Sequence, residues 1–187
     1  MSNDAVVRVL VPIADGTEEI EAVCIIDVLR RAGMDVTVAS VGGLQITASR
    51  GVKIVADCLI GECREVRYDL VVLPGGIPGA ENLRDSPVLT KILKAHQKAG
   101  SWLAAICAAP AVVLTPHALL AGCRATAHPH FVSQLENRSS VEERVVVDGR
   151  CVTSRGPGTA LEFALRLVAL LCGDAKAKEV AEPMVLP

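Results

Sequence analysis

Runs of buried-strand character alternate with segments of helical periodicity along this chain. Val6–Ile13 is nearly continuous in apolar, largely β-branched residues, the pattern of a strand covered on both faces. Asp15-Gly16-Thr17 turns the chain into a helix predicted to reach about Ala32 and to stop at Gly33. Asp35–Val41 reads as a second strand, Gln45–Ile54 as a short excursion turning at Ser49–Gly51, and Asp69–Leu73 as a third buried strand ending at Pro74-Gly75-Gly76. Ser86–Lys98 is a predicted helix opened by Ser-Pro and closed at Gly100. Trp102–Ile106 is a fourth strand, and Ala108–Leu120 continues as a helical segment broken near Pro116. Arg144–Val147 and Cys151–Ser154 flank Asp148-Gly149, a hairpin signal. Thr159-x-x-Glu162 is a capping box for a helix to Cys172, stopped at Gly173.

This alternation predicts a single α/β domain spanning 1–187, with a mostly parallel sheet and helices on both faces. No repeat or linker interrupts it. Sites in such sheets lie at the carboxyl ends of the strands. Three unusual segments fall there: Ala14–Glu21, Pro74–Gly79 and Cys107–Pro110.

Composition narrows the function classes. At 187 residues, 51% hydrophobic and 21% charged, the chain has the profile of a globular protein. With two Phe, one Tyr and one Trp, its core must be aliphatic. A net charge of −2 with interspersed signs leaves no electrostatic footprint for nucleic acid, and few aromatics are present for base stacking. The seven cysteines are odd in number and show no Cys-x-x-Cys spacing, so a disulfide framework is not expected. The N-terminal Met-Ser-Asn-Asp lacks the basic region of a signal peptide, and the apolar run Trp102–Leu114 is too short to span a bilayer. The expectation is a reducing, cytoplasmic setting with free thiols and no membrane partner.

A nucleotide site is disfavoured. The turn after the first strand carries Asp15, Glu18, Glu19 and Glu21, which would repel a phosphate. Gly75-Gly76-x-x-Gly79 and Gly156-Pro157-Gly158 match neither the dinucleotide fingerprint nor the Walker pattern. At about 100° per residue, Ile25, Val28, Leu29 and Ala32 define the inward stripe of the first helix. Glu18 and Glu21 project onto that stripe and Glu19 points away. Acidic residues in a first turn need no function beyond the helix dipole. Glu21, a turn deeper than Glu18, is expected to resist ionisation, and a protonated carboxyl there could donate a hydrogen bond to a thiolate.

Cys107 follows a buried strand and precedes a helical segment, an arrangement that resembles a nucleophile elbow. A helix N-terminus would lower its pKa below the usual value of about 8.5. The same position also suits a cysteine that merely fills space. His128, in His128-Pro129-His130, reads either as a loop residue or as an orienting or proton-transfer partner of Cys107. Together with Cys123 it matches no standard metal-ligand spacing.

Six segments in order resemble the DJ-one/ThiJ/PfpI superfamily, and most closely its DJ-one (parkinsonism-associated protein deglycase) branch. They are Asp15-Gly-Thr-Glu-Glu-Ile-Glu21, Arg30-Arg-Ala-Gly33, Asp69-Leu-Val-Val-Leu-Pro-Gly-Gly76, Ala104-Ala-Ile-Cys-Ala-Ala-Pro110, Ala127-His-Pro129 and Thr153-Ser-Arg-Gly-Pro-Gly-Thr159. The resemblance implies a flavodoxin-like three-layer sandwich that forms a homodimer. It also implies a nucleophilic, oxidisable Cys107, a protonated Glu21 hydrogen-bonded to it, and a nearby His128. Backbone amides at Gly75, Gly76 and Cys107–Ala108 would bind an oxyanion or substrate, and Arg31 and Arg50 match basic positions near the pocket mouth. Ala109 stands where the family commonly has glycine, and Ala108 stands where its protease branch has histidine, which argues against proteolysis. Ala175–Pro187 resembles the branch's extra helix, which reduces access to the site there.

The leading expectation is therefore a glyoxalase-III-like or deglycase activity on methylglyoxal-type dicarbonyls and early glycation adducts, requiring no metal or organic cofactor. The alternative is an oxidative-stress sensor or redox-regulated chaperone working through oxidation of Cys107. Ile20 and Val23, opposite the inward stripe, leave apolar surface that a dimer would cover.

Overall fold

A computed structural model describes residues 6–186. Met1–Asp4, read above for targeting, and Pro187 of the C-terminal segment lie outside the described residues. The chain builds β1 (Arg8–Ile13), α1 (Glu19–Arg31), β2 (Asp35–Ser40), β3 (Gln45–Thr47), β4 (Lys53–Val55), β5 (Cys58–Leu59) and β6 (Leu70–Leu73). It continues through α2 (Gly79–Arg84), α3 (Pro87–Lys98), β7 (Trp102–Ile106), β8 (Val145–Asp148), β9 (Cys151–Ser154), α4 (Ala160–Cys172) and α5 (Asp174–Ala181).

Seven strands form the central sheet in the order β5-β2-β1-β6-β7-β9-β8. All neighbours are parallel except the β8–β9 hairpin, which turns at Asp148-Gly149 as the sequence predicts. This is a flavodoxin-like arrangement. From β1 the chain crosses to β2 on one side, and from β6 to β7 on the other. Right-handed crossovers therefore place α1 and the α2–α3 pair on opposite faces. With helices on both faces, the inner strands bury every side chain: Val9 to Ile13 in β1 and Leu70 to Leu73 in β6.

The helix boundaries follow local chemistry. Ser86 caps α3 by accepting from the Leu89 amide, and Pro87 occupies the first turn. Gln45–Ile54 forms the antiparallel β3–β4 hairpin, which buries Ile46. After β7 the expected helix is a π-helical turn, Pro110–Leu114, followed by turns to Gly122. The C-terminal segment forms α5, packed on α4 with Val180 buried.

The Thr159–Glu162 capping box does not form. Thr159 Oγ1 instead bonds Ser154 Oγ at 2.7 Å and the Gly156 backbone, while Glu162 pairs with Arg144 Nε at 2.6 Å. Thr159 is itself buried, and its hydroxyl is taken up by Ser154 and the Gly156 backbone instead of by the first turn of α4. Glu19 also departs from expectation. It is 8% exposed because the β3–β4 turn folds over it, Ser49 Oγ and the Arg50 amide each donating to its carboxylate at 2.8 Å. Helical projection identifies the face turned from the sheet, but not a hairpin arriving from elsewhere.

Among the described residues, no helix is long and apolar enough to cross a membrane. No group of three or more His, Cys, Asp or Glu is placed there to hold a metal ion.

Candidate active site

Three chain segments meet where β1, β6 and β7 end. After β6, Pro74-Gly75-Gly76 runs between the start of α1 and the end of β7, and glycine is required at both positions. A Cβ on Gly75 would stand 2.7 Å from Cys107 Cβ, and one on Gly76 would stand 2.5 Å from the Glu18 amide nitrogen. Gly76 also has φ +88°, a conformation that L side chains rarely adopt. These contacts bring the first helix to the nucleophile candidate.

Glu21 is fully buried, as its place on the inward stripe predicts. The Gly75 amide donates to its Oε2 at 2.8 Å. Its own amide donates to the Glu18 carboxylate at 2.8 Å, and the Glu18 amide donates to the Gly75 carbonyl at 3.0 Å. The start of α1 and the glycine run are thus locked to each other. Glu21 Oε1 is buried with no well-aligned hydrogen-bond partner. Burial raises the carboxyl pKa to about 7, and the negative charge of Glu18 adds to the shift. The Gly75 amide and the Cys107 thiol oppose it. Around neutral pH, Glu21 therefore holds a proton for part of the time.

Cys107 occupies the turn after β7 with φ +64°. That left-handed conformation costs a non-glycine residue roughly 1–2 kcal/mol. It is held by the Cys107 amide donating to the Ser154 carbonyl at 3.0 Å and by the Cys107 carbonyl accepting from the His128 amide at 2.8 Å. The side chain is 8% exposed.

The expected fall in the Cys107 pKa is not found. Burial, followed by the charge and hydrogen bond of Glu21, pushes the thiol up to about 12, against the backbone amides of Gly76 and Ala108. The segment that follows begins with a π-helical turn, and desolvation outweighs its amides. Glu21 and Cys107 are therefore a coupled pair. An ionised Glu21 repels the thiolate. A protonated Glu21 removes that repulsion and turns the unpartnered Oε1 into a donor toward sulfur.

His128 reaches this site through its backbone. Its Nδ1 accepts from the His130 amide at 3.3 Å, which leaves the proton of the neutral ring on Nε2. Burial lowers its pKa, with smaller contributions from His130 and Arg155. Gly76 and Ala108 both direct amides toward the Cys107 sulfur. The Gly75 amide is spent on Glu21, so Gly75 supports the acid instead of offering an oxyanion donor.

The basic residues separate. Arg50 lies on the β3–β4 turn against the start of α1, and its Nη1 donates to the Ser49 carbonyl at 3.3 Å. Arg31 pairs with Asp27 at 2.6 Å in the last turn of α1. It is ten residues beyond Glu21, roughly 15 Å along the helix axis. Within one chain, Arg31 therefore stands toward the opposite end of the sheet from Cys107. Helix α1 runs away from the carboxyl ends of the strands, and sequence adjacency to the motif does not keep its far end near the site.

Ser154 and Thr159 support the site, a role that the sequence pattern alone does not assign to them. The Ser154 carbonyl holds the Cys107 amide, and its hydroxyl is fixed between the Arg144 carbonyl and Thr159, both at 2.7 Å. The available signal was two hydroxyl residues bracketing the Arg155-Gly-Pro-Gly158 turn.

Residues 7–170 match the model of the DJ-1/PfpI family. The chain is 51% identical over 176 residues to the Arabidopsis thaliana protein DJ-1 homolog B, covering 94% of this chain but 40% of that relative. It thus spans less than half of that plant protein's length. It is 35% identical over 180 residues to the Caenorhabditis elegans protein named glutathione-independent glyoxalase DJR-1.2, covering 95% of each. The structure of Toxoplasma gondii DJ-1 in oxidized form superposes with a TM-score of 0.93 at 49% identity, covering 96% of this chain and 98% of that one.

Proposed function

The chain belongs to the DJ-1/PfpI family, and from that premise we propose that it converts methylglyoxal-type dicarbonyls to hydroxy acids and reverses early glycation adducts. The observation that carries this reading is the Glu21–Cys107 pair. A buried carboxyl with a pKa of about 7 sits against a thiol whose ionisation depends on that carboxyl's proton. The nematode relative's name as a glutathione-independent glyoxalase is consistent with it.

In the proposed reaction, the Cys107 thiolate attacks the aldehyde carbon to give a hemithioacetal. Gly76 and Ala108 donate amide hydrogens to the oxygen that becomes negative. Glu21 takes the proton from the former aldehyde carbon and returns one to the neighbouring carbon, passing through an enediol to a hydroxyacyl thioester. Water releases the hydroxy acid and restores the thiol. His128, with its proton on Nε2, assists proton movement. No step calls on a metal or organic cofactor.

The test is lactate formation from methylglyoxal by wild type, Cys107→Ser and Glu21→Gln. Cys107→Ser is expected to fall to background, and Glu21→Gln to lose about 10²–10⁴-fold in kcat. Wild-type turnover no faster than that of Cys107→Ser sinks the proposal.

The same pair supports a second reading as an oxidation sensor or redox-regulated chaperone. A protonated Glu21 can donate to an oxygen added to sulfur, and the Toxoplasma gondii relative was determined oxidized. Cys107 remaining a thiol under mild peroxide, measured by mass spectrometry, counts against it. We also propose a cytoplasmic homodimer through α1, where Ile20 is 54% and Val23 50% exposed. A monomeric mass by sedimentation at micromolar concentration contradicts the dimer.

A further inference from the structure

Cys58 and Cys63 form a pair that the Cys107 chemistry does not use. Their sulfurs lie 3.7 Å apart, the one thiol–thiol contact among the described residues. Cys58 begins the short strand β5, and Cys63 ends the 3-10 turn Ile60–Cys63 that follows it. Cys58 is half-buried and Cys63 is 2% exposed. One sulfur therefore faces an approach from solvent while the other waits behind it.

We propose that Cys58 and Cys63 are a second oxidation site, a dithiol that a hydroperoxide converts to an intramolecular disulfide. The half-buried Cys58 sulfur attacks the outer oxygen of the peroxide. The O–O bond breaks, the thiol becomes a sulfenic acid, and the peroxide leaves as an alcohol or water after taking the thiol proton. Cys63 sulfur then attacks Cys58 sulfur, the S–O bond breaks, and the hydroxyl leaves as water with the Cys63 proton. Two thiols lose two electrons in total, and one hydroperoxide is reduced.

The geometry makes this a short path. Closing 3.7 Å to a disulfide length of about 2.05 Å asks each side chain to move roughly 0.8 Å. The backbone there also lies at the edge of the sheet. β5 is an edge strand paired to β2 at two positions only, Ala39 with Cys58 and Ser40 with Leu59. Burial, followed by the hydrogen bond with Cys63, pushes the Cys58 thiol up to about 12, so the reaction requires excess peroxide.

Cys107 differs in outcome. Glu21, Gly76 and Ala108 act on its sulfur, and none of them is a thiol, so its oxidation proceeds up the sulfenic–sulfinic ladder. The Cys58–Cys63 pair stops at a disulfide that ordinary thiols reverse.

Trypsin cleavage after Lys53 and Arg64 releases both cysteines in one peptide, which makes the test direct. Full-length wild type and Cys107→Ser are treated with excess hydrogen peroxide, quenched in acid, alkylated under denaturing conditions, digested and weighed. In both proteins the peptide is expected to lose both alkyl groups and to be lighter by two hydrogens, and dithiothreitol restores alkylation. In Cys63→Ser, dimedone is expected to trap a sulfenic acid at Cys58. Full alkylation of both residues, under peroxide that oxidises the exposed Cys172, overturns the proposal. So does a sulfinate at Cys58 with no link to Cys63. Because the readout is independent of Cys107, failure here leaves the dicarbonyl reading untouched.

Discussion

The two ends of the central sheet each bury a cysteine, and the two share most properties by which a reactive thiol is usually sought. Cys107 follows β7 and Cys151 opens the neighbouring β9, each 8% exposed. Burial pushes each up to about 12. Their surroundings differ. Cys151 lies in regular strand backbone opposite Leu103 and Asp148, and the charges that add to its shift belong to Cys123 and Asp148. That end of the sheet also carries the Arg150 guanidinium over the Trp102 ring, a structural contact. Cys107 sits in left-handed backbone against a carboxyl that gains and loses a proton near neutrality, with two amides directed at its sulfur. Exposure and the direction of a pKa shift do not separate the two thiols. The neighbouring acid and the strained turn do.

This contrast gives measurable differences. The largest is in turnover. Cys107→Ser is expected to lose at least about 10³-fold in lactate formation from methylglyoxal, roughly 4 kcal/mol of barrier. Cys151→Ser is expected to stay within about twofold, because only a structural thiol is changed. Equal losses would erase the distinction between the two ends.

Glycine substitution comes next. Gly76→Ala forces a Cβ to 2.5 Å from the Glu18 amide at φ +88°, whereas Gly100→Ala, before β7 at φ +71°, meets nothing within 4 Å. Urea unfolding should show a loss of at least roughly 3 kcal/mol for the first and roughly 1 kcal/mol for the second. Matching losses would mean that the glycine run does not brace the site.

The acid itself is tested through the pH dependence of stability. Glu21 is raised from 4.5 to about 7, so the fold favours its protonated form. That stabilisation is complete below about pH 4.5 and is lost as pH rises through about 7. Measured against Glu21→Gln, wild type should lose roughly 2–3 kcal/mol between pH 4.5 and 8, by denaturation at each pH. A pH-independent difference would show that Glu21 does not exchange its proton in this range.

Much of this site is legible in the chain. The buried runs locate β1, β6 and β7, and with them the strand ends where Glu21, Gly75 and Cys107 stand. Helical periodicity distinguishes buried Glu21 from exposed Ile20 and Val23, because each projects by a fixed angle from the same axis. These are local properties, repeated every few residues.

What only the tertiary structure decided depends on segments distant in sequence. Glu19 is covered by a turn thirty residues away, the Gly75 amide is taken by a carboxylate fifty-four residues away, and Thr159 leaves its capping role for Ser154. Arg31 ends far from Cys107 because α1 points away from the strand ends. The Cys107 pKa turns upward because burial and a facing carboxyl outweigh the backbone amides. Desolvation and charge proximity depend on three-dimensional distance, which periodicity along the chain does not contain.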